Sequence, residues 1–166
     1  MRYVERLLQD IEYVTLVKKQ EEAEADRRFC RHGLSHFLDV ARIAWIMCFE
    51  EAAKEHRMLD GWKKEQIYLT ALLHDLGRLA ERKEGIPHHQ AGADLAKYFL
   101  KKIDWPLDKQ QEILNAIQGH RGEEKLNNEF TNLIKKADNK SRNCFFCDMQ
   151  EACNWNCERK NKTIQS

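Results

Sequence analysis

IYLTALLHDLGR, residues 67–78, reads as a buried helix that ends in an imidazole beside a carboxylate. Ile67, Thr70 and Ala71 recur at helical spacing and lead to His74 and Asp75, while Leu69, Leu72, Leu73 and Leu76 cover the opposite side. A helix that is apolar nearly all round is buried on every face. Gly77 is a residue at which such helices stop. The His-Asp pair thus falls in a core, where an unpartnered charge is costly.

Outward from this segment the same anomaly recurs. His36 heads the stripe Val40, Ile43, Ala44 and Met47; His88 aligns with Gly92, Leu95 and Phe99; Ile113, Ala116 and Ile117 lead to His120. Phe130, Ile134 and Ala137 lead to Asp138, one turn beyond Ile134. The spacing predicts about six helices, over residues 3–26, 35–56, 63–76, 88–102, 108–118 and 128–140, in an all-α chain. Ser35 and Asp108 are expected N-caps, Asp60-Gly61 a turn, and residues 84–87 a loop. One buried histidine bonded to a backbone carbonyl would be ordinary. Five helices each aiming an imidazole or carboxylate at one core call for a shared cation, which turns the desolvation cost into coordination energy.

Composition narrows the setting. The 166 residues suit one helical domain, residues 1–142, with a short Cys-rich appendage, residues 143–166. Hydrophobic residues make up 42% and charged residues 33%, and the net charge is only +1. No global field draws such a chain to nucleic acid or membrane, so strong nucleic-acid binding is not expected. The opening MRYVERLLQDIEYV has no signal-peptide core, and the apolar run at 43–49 is too short to span a bilayer. A cytoplasmic protein is the expectation, and there cysteines are thiols or metal ligands rather than disulfides.

These residues resemble the HD-domain superfamily of metal-dependent phosphohydrolases. The matches are His36 in HFLDVARIA, His74-Asp75 in ALLHDLGR and Asp138 in KKADNKSR, with HHQAGADLA and IQGHR similar to later histidine elements. The likeness runs from about residue 28 to residue 142. It implies a helical bundle with the metal at its centre, held by His36, His74, Asp75 and Asp138. Asp75 would be able to bridge two ions, and His88 and His120 would be the added ligands of a two-metal branch. His89 also faces apolar residues, which leaves His88 or His89 open. His32, one turn before His36, could be another ligand, though a support behind the ligands or a helix-entry residue near Gly33 is the favoured reading, and His56 reads as a surface histidine.

Imidazoles mixed with carboxylates favour one or two ions of Fe, Mn, Co, Ni or Zn over Mg. Such an ion polarises a phosphoryl oxygen and yields a hydroxide nucleophile, so a phosphoester or phosphoanhydride, in a nucleotide foremost, is the expected substrate. Asp75 is the expected catalytic residue. Arg78, Arg121, Lys140 and Arg142 follow ligand positions and are candidate phosphate partners. No Gly-rich phosphate loop occurs. Cys144, Cys147, Cys153 and Cys157 could hold a structural zinc in a thiolate site, with a loose tail of free thiols as the alternative. Two other activities stay open: di-iron oxygenation at the same ligands, and a non-catalytic binding module.

Overall fold

The computed structural model describes residues 1–121 and 128–164. Among these the regular structure is helical throughout: α1 (Arg2–Gln9), α2 (Ile11–Ala23), α3 (Leu34–Lys54), α4 (Gly61–Leu73), α5 (Arg78–Glu84), α6 (His88–Lys102), α7 (Gln110–Gly119) and α8 (Glu129–Lys140). Single 3-10 turns lie at Leu107–Lys109 and Cys144–Phe146. No helix among the described residues is long and apolar enough to cross a membrane.

The expected helix over 3–26 is two helices. Asp10 is extended, and its carboxylate accepts from Tyr13 N–H at 3.0 Å, so it caps α2 where the chain bends. The second expected helix starts at Leu34, ahead of Ser35. Its N-cap, Gly33, has no side chain, and Leu34 N–H instead donates to Glu21 Oε1 of α2 at 2.8 Å. Asp60 caps α4 through Lys63 N–H at 2.8 Å, and Asn128 caps α8 through Thr131 N–H at 2.7 Å. The fifth expected helix begins as a 3-10 turn, and Asp108 makes no cap. α5 was not expected; it closes at Gly85, whose φ of 73° lies in the left-handed region.

α4 runs through the middle of the molecule. On one side Leu69, Leu72 and Leu73 join Leu7, Tyr13, Phe99, Leu100 and Ile113 in the larger apolar cluster. On the other, Ile67 and Ala71 pack with Val40, Ala44, Phe130 and Ile134 from α3 and α8. Tyr13 Oη donates to the Leu72 carbonyl at 3.0 Å, so even the phenol in the first cluster is satisfied. The small residues Ala41, Ala44, Ala71 and Ala137 let α3, α4 and α8 approach closely. Past α8 the chain folds back, and Asn161 Nδ2 donates to the carbonyls of Asn139 and Arg142 at 2.8 and 2.7 Å.

Candidate metal centre

Five helices deliver side chains to one point beyond the C-terminal end of α4. His36 sits in the first turn of α3; His74 and Asp75 lie in the turn after α4; His88 begins α6. His120 directly follows α7, and Asp138 is in the last turn of α8. The approach of α6 to the turn depends on two glycines. A Cβ on Gly77 would stand 2.0 Å from the His88 carbonyl oxygen, and one on Gly92 would stand 3.3 Å from that of His74. Without a side chain at Gly77, backbone meets backbone and His88 comes up to Asp75.

Each imidazole is held by Nδ1. His74 Nδ1–H donates to the Ala71 carbonyl at 2.7 Å, and His120 Nδ1–H donates to the Ile117 carbonyl at 2.6 Å. His88 Nδ1 meets Glu81 Oε1 at 2.7 Å. Ser141 Oγ spends its proton on the Asp138 carbonyl at 2.7 Å, and so accepts from His36 Nδ1–H at 3.2 Å. Carbonyl, carboxylate and spent hydroxyl can only accept, which leaves the lone pair on Nε2 in every case; that of His36 accepts from Arg142 Nη2 at 3.3 Å, and those of His74, His88 and His120 have no donor. Burial pushes His74 down to about 3 and lowers His88 as well, so both rings are neutral near pH 7.

Those Nε2 atoms all face Asp75, which is fully buried. His36 and His74 stand 3.8 and 3.5 Å from Oδ2, and His88 and His120 each stand 3.6 Å from Oδ1. Asp138 Oδ1 lies 3.2 Å from His36 Nε2 and 4.0 Å from His74 Nε2. Burial alone would raise Asp75, but any proton taken up by the surrounding imidazoles, His74 foremost, and the permanent charge of Arg78 outweigh it and hold the carboxylate well below its usual range. Both Asp75 oxygens and the Nε2 atoms of His74, His88 and His120 are buried without a hydrogen-bond partner. Lone pairs facing lone pairs at these distances have no proton to share, and each such group would cost on the order of 1–3 kcal/mol if left so. Cations fit the gap. His36, His74 and Asp75 form one set, and Asp75, His88 and His120 a second, with all ligand atoms in each within 4.8 Å of one another.

His88 and His89 are placed differently: His88 is buried and faces Asp75, whereas His89 is half-buried with its ring centre 5.9 Å from that of His88. His56 is an exposed turn residue with φ 52°. The four expected phosphate partners divide. Arg78 is buried, with Nε 3.1 Å from Asp75 Oδ1 and Nη1 3.5 Å from Glu81, so its charge is spent on the buried Asp75 and on Glu81. Arg142 is also buried and donates to Asp138 Oδ1 at 2.5 Å. Arg121 is exposed next to His120, and Lys140 is half-buried at the end of α8.

A cavity of about 360 Å³ opens beside His36. Arg142 shares its floor, while Arg28, Arg31 and Lys160 bring further positive charge and Phe29 and Phe146 add aromatic faces. Sequence reasoning missed Arg28, Arg31 and Lys160, because they stand outside any apolar stripe. The tail thiols expected as zinc ligands stand apart from these sets. Cys144, Cys147, Cys153 and Cys157 are free thiols, and no three of them are among the convergent sets of the described residues. Cys144, Cys147 and Cys153 line the cavity, where Asn161 holds the tail against the end of α8.

Comparison with known proteins agrees with this geometry. The HD domain family model matches residues 33–143. The chain belongs to the HD-domain family. That membership implies a divalent metal, and the donors described above fit one. An uncharacterized protein of Clostridium beijerinckii is 38% identical over 158 residues, 95% of each chain. Ribonuclease Y of Desulforudis audaxviator is 30% identical over 105 residues, which is 63% of this HD-domain chain but only 17% of that protein. The crystal structure of a predicted HD superfamily hydrolase from an uncultured Thermotogales bacterium superposes with a TM-score of 0.61 at 21% identity, covering 90% of this chain and 79% of that one. That likeness shows a shared fold.

Proposed function

We propose that this HD-domain protein is a metal-dependent phosphohydrolase acting on a small organic phosphate, a nucleotide foremost. The observation that carries the reading is the ring of unpartnered Nε2 atoms around both oxygens of Asp75, with a cationic cavity alongside. Divalent cations, when bound there, supply Lewis-acid polarisation of a phosphoryl oxygen and a water acidified toward neutrality. The protein's own part is placement. Asp75 holds its two oxygens toward opposite ligand sets, and Arg78 keeps it anionic. Arg142 fixes Asp138 and faces the cavity, where Arg28, Arg31 and Lys160 offer charge to phosphate oxygens. Phe29 and Phe146 offer faces on which a base can stack.

The ribonuclease Y likeness favours a second reading, cleavage of a phosphodiester in RNA. The net charge of +1 and the modest cavity speak for the small substrate. Metal analysis of anaerobically purified protein, followed by a nucleotide panel and a short RNA with Asp75→Ala as control, separates them. Release of phosphate or nucleoside from the small compounds, absent in the variant, is expected. Cleavage of RNA alone would establish the second reading, and turnover that consumes oxygen would replace both with oxygenation.

A further inference from the structure

Asp75 has a third imidazole on its Oδ2 side. His32 lies in the segment before α3, outside every stripe, yet its Nε2 is 3.8 Å from Asp75 Oδ2, the same distance as that of His36. The ring is buried, and its centre is 5.4 Å from the ring of His36. Its Nδ1 is 3.1 Å from both oxygens of Glu24, a carboxylate that is itself only 5% exposed. Glu24 also accepts from His32 N–H at 2.7 Å, and Gln20 Nε2 donates to the His32 carbonyl at 2.8 Å. An irregular segment is thus anchored at backbone and ring together, by residues of α2 and of the turn after it.

We propose that His32 is a metal ligand on the Oδ2 side of Asp75, with Glu24 as the carboxylate that fixes its ring. A carboxylate on Nδ1 sets the tautomer, orients Nε2 and raises its basicity, as is usual behind metal-bound histidines. The consequence is asymmetry. The Oδ2 side then offers His32, His36, His74 and Asp138 besides Asp75, whereas the Oδ1 side offers His88 and His120. The better-furnished side loads first and holds its ion more tightly.

The inference rests on the metal centre proposed above, and the experiment separates the two. Wild type, His32→Gln and Glu24→Gln are titrated with Co(II), with visible absorption and X-ray absorption recorded at the first equivalent, and metal-free melting is measured in parallel. Expected in wild type is a two-step titration with imidazole scattering from three histidines at the first step. His32→Gln should remove one imidazole and change the absorption spectrum, and Glu24→Gln should weaken the first step about 10–100-fold while leaving the second. A variant that melts lower but keeps the first-step spectrum, affinity and imidazole count makes His32 a structural residue and overturns the proposal. Wild type that binds no Co(II) overturns the centre itself.

Discussion

Five candidate ligands converge in two sets with Asp138 against His36 and His74, all from five helices, whereas four cysteines crowded into residues 144–157 do not. The difference is burial. Each histidine of the centre is fixed at Nδ1 by a neighbour and pressed against a fully buried carboxylate, so its remaining lone pair has one direction to point. The thiols lie in a segment with a single 3-10 turn, and Cys147, Cys153 and Cys157 keep contact with solvent. Closeness in sequence brings donors near; packing decides whether they share an ion. Asp75→Ala is the largest test. It removes the one group common to both sets, so both ions should be lost and turnover should fall more than about 1000-fold. Full metal occupancy in that variant would dissolve the contrast.

Gly77→Ala tests packing without touching a ligand. Its Cβ collides with backbone rather than with a flexible side chain, so α6 must retreat. Overpacking of this kind costs about 1–3 kcal/mol, and melting should drop by several degrees. The retreat carries His88 away from Asp75, so the Oδ1 side should lose metal while the Oδ2 side keeps it. Equal loss on both sides would mean that the glycine serves stability alone. A gentler change on the same side is Glu81→Gln, which removes the carboxylate behind His88 Nδ1. It should weaken the Oδ1-side ion about 10-fold with melting of the metal-free protein nearly unchanged, read by isothermal titration.

The centre was legible because a polar residue on an apolar helical stripe is a local signal, and His36, His74, His88, His120 and Asp138 all follow that rule. His32 lies on no stripe: its place one turn before His36 made it a possible ligand, but the sequence favoured a supporting role, because the partner that orients it is Glu24, at the end of α2. α5 was hidden for a related reason. RLAERKE has no apolar stripe, and its structural use is to bring Arg78 and Glu81 to the centre from consecutive turns. The break at Asp10 was masked because apolar spacing continues across it; only the cap geometry separates α1 from α2. The cavity was equally unreadable, since Arg28, Arg31 and Lys160 reach it from segments without period.

The smallest expected effect bears on the tail. Replacing Cys147, Cys153 and Cys157 together by serine keeps near-isosteric side chains at three partly or fully exposed positions. If the tail holds no ion of its own, metal content per chain should equal that of wild type, and stability should shift by less than about 0.5 kcal/mol. Cys147 and Cys153 line the cavity, so the change should appear instead as a modest rise in KM, with kcat kept because the Asp75 centre is untouched. Loss of one zinc per chain in the triple variant, with the Asp75-dependent ions retained, would restore a thiolate site and erase the contrast between the two regions. An unchanged metal count with altered KM would instead make the tail a wall of the cavity, its place set by the hold of Asn161 on the end of α8.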